Sequence, residues 1–205
     1  MTQLPTVPSE AERLPKDALL YVLMGPSGVG KSMLARSLTE DNGRQFKFEL
    51  NRAWRTRPQR PGSDDPNIHC TVDEFVAAEA AGSFLFTMPL YKDVAGMVVP
   101  RRLPENTFWV YIYLPQHALR LREFYPNARF VQILPDDTSV LRERLLARDP
   151  DIMPGDLEAR LDRADDELRR GKAVADLTFI NHPPLEQAQT DFYDLIARDI
   201  QTRNA

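Results

Sequence analysis

The stretch GPSGVGKS, running from Gly25 to Ser32, directly follows the apolar run Leu19–Met24 and carries the residue types that hold phosphate. In Gly25-x-x-x-x-Gly30-Lys31-Ser32 the glycines let backbone N–H groups converge on phosphate oxygens, at positions where a Cβ would clash or forbid the required dihedrals. Lys31 reaches the terminal phosphates. The Ser32 hydroxyl meets Mg²⁺, directly or through its water, at the N-terminus of a helix whose dipole also favours the anion. The expected nucleotide contacts are therefore Gly25, Ser27, Gly28, Val29, Gly30, Lys31, Ser32 and Met33, with Ser32 as the metal ligand.

A bound triphosphate implies phosphoryl transfer, which needs cations converging from several elements to neutralise charge on oxygens. Arg55-Thr56-Arg57-Pro58-Gln59-Arg60-Pro61-Gly62 puts three guanidinium groups on a proline-stiffened loop, too irregular for a helix or a central strand. Arg144 and Arg148 lie four apart on the helical pattern Leu141–Arg148, hence on one face, and Arg160 follows on the next helix. Taken alone, these helical arginines fit equally well a solvated face paired with Glu143, Glu158, Asp162 and Asp165. His69, His117 and His182 are scattered without metal-ligand spacing, so no structural metal site is expected.

The elements that must position these groups follow from periodicity. Short apolar runs predict strands at Leu19–Met24, Phe46–Leu50, Phe84–Met88, Thr107–Tyr113, Ala128–Leu134 and Leu177–Ile180. Helical patterns begin at Ser32 and Asp73 and cover Thr138–Arg148, Asp156–Arg170 and Pro184–Ile200. This alternation predicts an α/β domain with a largely parallel sheet. Thr71-Val72-Asp73-Glu74 reads as a capping box opening the second helix, and Pro150, Pro154 and Gly155 mark a hinged connection. Residues 1–17, with three prolines and little apolar periodicity, read as a flexible N-terminal arm ahead of one domain over 18–205.

Composition bounds the rest. At 205 residues the chain suits one domain with a full core. A formal net charge of -4 lacks the basic excess of a nucleic-acid binder. The lone Cys70 cannot form an internal disulfide, the opening residues lack a secretory pattern, and no apolar run is long enough to span a bilayer. A cytoplasmic protein, monomeric or homodimeric, acting on a small phosphorylated substrate without membrane or nucleic acid, is the expectation.

From about Ala18 to its end the chain resembles the guanylate kinase family of P-loop kinases. The resemblance rests on GPSGVGKS followed by Met33-Leu34, on Thr56-Arg57-Pro58-x-Arg60-Pro61-Gly62, and on Val72-Asp73-Glu74-Phe75. It continues through Leu141-x-x-Arg144-Leu145-x-x-Arg148, Arg160-Leu161-x-x-Ala164-x-x-Glu167-Leu168 and Phe179-Ile180-Asn181. It implies a P-loop kinase fold, a parallel sheet flanked by helices, with a small acceptor-binding insertion over about 52–100 and a helical lid over about 144–160. It further implies ATP and Mg²⁺, with Lys31, Arg57, Arg144, Arg148 and Arg160 as catalytic residues. Arg57 and Arg60 would hold the acceptor's phosphate, the lid arginines would close over the transferring group, and Asn181 would lie near the adenine.

Departures from that family cluster on the acceptor side. Ala53 stands where a serine is expected, Ser63 replaces a glutamate, and the position of a phosphate-binding tyrosine falls near Asn67 or His69. Phe86 stands where a guanine-reading glutamate is expected, the tyrosine-glycine pair is Ala95-Gly96, and an aspartate is replaced at Tyr111 or Tyr113. Guanine donors left unpaired cost about 1–3 kcal/mol each, so selectivity for GMP should collapse. Asn67, His69, Phe86 and Tyr91 join Arg57 and Arg60 as the expected acceptor contacts. Phe84, Phe86, Met88 and Tyr91 could stack on another base, although ordinary core packing suits Phe84 and Phe86 better. Asp64, Asp65 and Asp93 are either hydroxyl-orienting bases or turn formers.

An acceptor phosphate is already anionic and needs no general base. The resemblance extends to ribose 1,5-bisphosphokinases, which also lack the guanine-reading glutamate, so a pentose (bis)phosphate is the expected acceptor. The alternatives are a nucleoside monophosphate kinase, acting on GMP or another base, and a non-catalytic guanylate kinase-like module binding phosphorylated protein segments. The intact Lys31 and Ser32 favour the enzyme.

Overall fold

The computed structural model describes residues 5–40, 43–59, 65–90 and 93–204. Its centre is a strand, β1 (Leu20–Met24), whose five residues are all buried, as a continuous apolar run covered on both faces should be. β2 (Lys47–Leu50), β7 (Thr107–Ile112), β8 (Arg129–Pro135) and β9 (Leu177–Asn181) join it in a five-stranded sheet of order β2-β7-β1-β8-β9. Every pairing in this sheet is parallel, with Tyr21 opposite Val110 on one side and Arg129 on the other.

Parallel neighbours require crossovers, and helices supply them. α1 (Lys31–Thr39), α5 (Pro154–Val174) and α6 (Leu185–Asn204) help cover one face, where Tyr21 and Leu23 meet Leu34, Leu38, Ala164, Phe192 and Ile196. The opposite face, carrying Leu20, Val22 and Met24, packs under α3 (Pro115–Phe124) and under a second sheet. That sheet has the order β4-β3-β6-β5, built from β3 (Trp54–Arg55), β4 (Ile68–His69), β5 (Phe84–Leu90) and β6 (Asp93–Val98). β5 and β6 form an antiparallel pair that sets Phe86, Met88, Ala95 and Met97 onto Trp109, Tyr111 and Phe130 of the main sheet.

The parallel α/β architecture agrees with the pattern of the sequence, with element ends shifted by a few residues. The box at Thr71 forms as expected: its Oγ accepts the Glu74 N–H at 3.2 Å while the Glu74 carboxylate accepts the Thr71 N–H at 2.9 Å, opening α2 (Val72–Ala80). Three strands and one α-helix have no counterpart in the periodicity of the sequence. β3 and β4 are two residues each, too short for any period, and β6 contains Ala95 and Gly96, which dilute its apolar alternation. α3 starts on Pro115, a residue suited to the first helical turn, and buries only Pro115, Ala118 and Leu121.

The described part of the expected flexible arm is tied down. Glu10–Glu12 form a 3₁₀ turn held by Ser9, whose hydroxyl donates to the Glu12 carboxylate at 2.6 Å. The Leu14 N–H then bonds to Pro100 O at 3.0 Å, the Arg102 N–H to Glu12 O at 2.7 Å, and Leu14 packs against the second core. No helix among the described residues is long and apolar enough to cross a membrane. α4 (Ser139–Arg148) and α5 meet at the interrupted segment around Asp151, which is where the sequence places a hinge.

Candidate active site

β1 ends at Met24, and the chain turns through the glycine-rich loop into α1 at the C-terminal edge of the parallel sheet, where ligands of such sheets bind. Gly25 has φ 142° and Gly30 has φ 100°, conformations that side chains resist. A Cβ on Gly25 would stand 2.4 Å from the Ile133 carbonyl, and one on Gly30 would stand 2.3 Å from Asn181 Nδ2. The loop is thus walled by β8 on one side and β9 on the other. Lys31 folds back along it, donating to Gly25 O at 2.6 Å and Pro26 O at 2.8 Å.

Val29, at the crest, is fully buried, while Ser27 and Ser32 are half-buried and Met33 is exposed. Gly30 caps α1 without a side chain and its carbonyl takes the Met33 and Leu34 N–H groups at 3.1 Å, so the Lys31 and Ser32 amides of the first turn have no capping oxygen from that residue. Those amides, the Lys31 ammonium and the Ser32 hydroxyl in the first turn form a cradle that suits a triphosphate with its magnesium ion.

Asn181, expected near the adenine, packs against the phosphate loop. It ends β9, is 5% exposed, and donates from Nδ2 to Val29 O at 2.7 Å. In this position it braces the loop from beneath. The sequence offered no signal for that contact, because the partners are 152 positions apart.

α4 flanks the loop on its open side. The space at Gly28 is bounded by Leu145 Cγ at 3.6 Å and Arg144 Cβ at 3.8 Å from where a Cβ would stand. The Cβ of Arg144, one of the expected lid arginines, is thus beside Gly28 of the phosphate loop. Arg160, on α5, lies 3.7 Å from the Asp149 carboxylate, and its Nη1 is buried with no hydrogen-bond partner among the described residues. Glu158, a candidate to neutralise these arginines, instead pairs with the exposed Arg142 at 2.8 Å. The side chain of Arg148 is outside the described residues.

The second sheet gathers the residues expected on the acceptor side. Arg55 of β3 forms a two-point pair with Asp93 of β6, Nε to Oδ2 and Nη2 to Oδ1, both at 2.8 Å. Arg57 directs Nε towards the same Asp93 at 3.6 Å and pairs through Nη2 with Asp65. Asp65 in turn accepts the Asn67 N–H at 3.1 Å and its Nδ2 at 2.6 Å. His69 Nδ1 lies 2.8 Å from Arg57 O, and since a carbonyl only accepts, that nitrogen carries the proton. Its Nε2 faces Asp65 at 3.5 Å.

Burial acts to raise the Asp65 pKa. The Asn67 N–H, the charge of Arg57, His69 and the Asn67 side chain outweigh it, so the group ends below the ordinary carboxylate range. Arg57, Asn67 and His69, singled out from sequence, thus meet in one cluster. Arg55 and the engagement of both aspartates with arginines are additions from the structure. Arg60 and Tyr91, along with Asp64, fall outside the described residues.

Phe86 is placed in the core. It is 5% exposed, stacks on Phe124 with ring centres 5.7 Å apart and planes at 16°, and lies under the Arg120 guanidinium at 4.8 Å. Tyr113, one residue beyond β7, is 6.3 Å from Phe86 ring to ring, and its amide bonds to Leu23 O beside the phosphate loop. The hydroxyls of Tyr111 and Tyr113 are buried with no hydrogen-bond partner among the described residues. Burial pushes both phenols well above their usual range.

No family model matches the chain. Among curated proteins, the guanylate kinase of Coxiella burnetii is 30% identical over 196 residues, covering 91% of this chain and 92% of its own length. That of Hydrogenovibrio crunogenus is 30% identical over 168 residues, covering 80% of each chain. The Symbiobacterium thermophilum guanylate kinase is 33% identical and covers 75% of this chain and 73% of its own. Among solved structures, guanylate kinase from Anaplasma phagocytophilum superposes with a TM-score of 0.60 at 20% identity, over 88% of this chain and 86% of that one, a likeness of fold. With identity of this order running through nine tenths of both chains, this chain belongs to the guanylate kinase family of P-loop kinases and is an ATP-dependent phosphotransferase.

Proposed function

We propose that the chain transfers the γ-phosphoryl group of ATP to a small phosphorylated acceptor that carries no guanine, of the pentose (bis)phosphate class. One observation carries this reading. At the position where the family resemblance implies a guanine-reading glutamate, Phe86 is stacked in the core between Phe124 and Tyr113. A buried phenyl ring offers no acceptor to guanine's donors, and each one left unpaired costs about 1–3 kcal/mol.

On the donor side, the amides from Gly28 to Ser32 and Lys31 hold the outer phosphates, with Ser32 as the side chain that would hold magnesium. The ion, when bound, neutralises charge on the phosphate oxygens. Arg144 and Arg160, with Arg148, supply positive charge from the lid side. Across the cleft Arg57, with Arg60, takes the acceptor's phosphate. That phosphate is anionic before it reacts, so no general base is required, in keeping with the commitment of Asp65 and Asp93 to arginines.

The likeness to proteins named guanylate kinase supports a second reading, a nucleoside monophosphate acceptor. One experiment separates the two. The protein is incubated with Mg·ATP and, in turn, nucleoside monophosphates, ribose 1-phosphate, ribose 5-phosphate and ribose 1,5-bisphosphate, and products are identified by mass. Phosphorylation confined to sugar phosphates is expected, and turnover of GMP at an equal or higher rate overturns the proposal. Arg57→Ala should raise the acceptor KM by tenfold or more, on the order of one charge-assisted hydrogen bond, and leave ATP affinity unchanged. Equal loss of both would put Arg57 in the wrong half of the cleft.

A further inference from the structure

Arg57 follows β3 of the second sheet, whereas the phosphate loop follows β1 of the first, so the span between acceptor and donor is set by how one sheet sits on the other. The chain passes between the sheets at residues 51–53 and 99–106. At the second crossing, one edge of the segment beyond β6 is tied to the main sheet. Arg101 O accepts the Trp109 indole N–H at 2.8 Å, and the Arg101 guanidinium pairs with Glu49 of β2 at 2.8 Å.

The N-terminal arm holds the other edge. Its residues 12–14 run antiparallel to 100–102, with the Leu14 N–H on Pro100 O at 3.0 Å and the Arg102 N–H on Glu12 O at 2.7 Å. These bonds flank the Arg13–Arg101 pair without joining it. Like charges facing each other across strands repel, so the arm is held by its backbone and by Leu14, which packs on the second core. Towards its start the arm meets Ser83, just ahead of β5, whose hydroxyl donates to Pro5 O at 3.4 Å. Ser83 O accepts the Val99 N–H at 3.0 Å, so both strands of the β5–β6 pair are met at their root. Towards its end, Asp17 O accepts the Asn127 side-chain N–H at 2.7 Å, just ahead of β8 of the main sheet.

We infer that residues 5–17 are a strap that positions the acceptor half of the site. Leu14 is its positioning residue: it fixes the tilt of the second sheet, and with it Arg57, relative to the phosphate loop, without touching either substrate. The physical basis is leverage. Arg57 lies beside Asp93, which faces Leu90 at the end of the β5–β6 pair far from Ser83 and Pro100. The seven residues of β5 span about 20 Å, so a tilt of about 3° at the root moves the far end by about 1 Å, enough to slow phosphoryl transfer severely. This inference rests on the reading that Arg57 holds the acceptor.

Hydrogen exchange followed by mass spectrometry tests it on the full chain, with magnesium and a non-hydrolysable β,γ-imido ATP analogue bound. Leu14→Gly removes the packing of the strap and should speed exchange in β5 and β6 about tenfold, while β1 and β8 exchange as in the unmodified chain. With the acceptor that the assay above identifies, the same variant should lose about tenfold in kcat/KM for that acceptor and nothing in ATP affinity. Arg13 and Arg101 form a narrow pair, of the kind whose Cα atoms stand about 4.5 Å apart, so Arg13→Cys with Arg101→Cys is within disulfide reach. Added to Leu14→Gly, the closed disulfide should return β5 and β6 to the unmodified exchange rate, and dithiothreitol should undo the rescue.

Unchanged exchange in β5 and β6 overturns the inference. Faster exchange in β1 and β8 as well overturns it too, since Leu14 would then serve general stability. Equal loss of acceptor use and ATP affinity has the same force, as does a closed disulfide that fails to slow exchange. A disulfide that restores slow exchange but stops turnover would show that the arm must lift, the opposite of a fixed strap. The exchange arms need no acceptor, so they decide on the strap even where the sugar-phosphate reading fails.

Discussion

Replacing Asn181 with alanine tests whether the phosphate loop is braced by β9. In the structure the Asn181 amide donates to Val29 O at 2.7 Å from a site 5% exposed, and its Nδ2 fills the space against Gly30. Alanine removes the donor and leaves the Val29 carbonyl buried without a partner, a loss of about 1–3 kcal/mol. At about 2 kcal/mol, a domain of this size should unfold about 4–8 °C lower. The vacated volume also lets the peptide between Gly28 and Gly30 sag, so the amides must be reordered when a triphosphate binds, and ATP affinity should fall about tenfold. The assay pairs thermal unfolding with a titration of Mg·ATP. Both quantities must move together. Weaker ATP binding at an unchanged unfolding temperature would mean that Asn181 touches the nucleotide and does not hold the loop, and no change in either would show that the loop stands without it.

Other consequences follow from burial and charge. Phe86→Ala should destabilise the fold by about 3–5 kcal/mol, seen as a lower urea midpoint, with ATP affinity unchanged, because the ring supports the second sheet and not the phosphate loop. Asp199→Asn should cost about 3 kcal/mol by the same measurement. Asp199 receives Arg129 at 2.8 Å and the Tyr21 hydroxyl at 2.9 Å, and its loss leaves Arg129 largely buried with half its partners. Burial pushes the Tyr125 phenol up to about 12 against a small opposing effect of Arg13. Its folded value lies above the unfolded value of about 10, so the stability it contributes is complete below that pH and is lost as pH rises through about 12. Ultraviolet difference titration of the native chain against Tyr125→Phe should show this late phenol.

Much of the donor half of the site was legible in the sequence because it is built locally. Gly25 to Ser32 are consecutive, their chemistry lies in backbone amides, and the strand and helix on either side follow from short apolar periods. The Thr71 capping box was equally readable, since its two bonds join residues three apart. The acceptor half was not. β3 and β4 are too short to have a period, yet they bring Arg55 and Arg57 to Asp93, with 38 positions between Arg55 and Asp93.

By itself, then, the sequence determined a parallel α/β kinase with a phosphate loop and a set of candidate arginines. Only the tertiary structure decided which aspartates those arginines meet, that Phe86 is core, and that Asn181 holds Val29. The reason is one of range. Hydrogen bonds within a turn or a helix end are set by neighbours along the chain, whereas the pairing of a buried charge depends on which strands the core packing brings side by side.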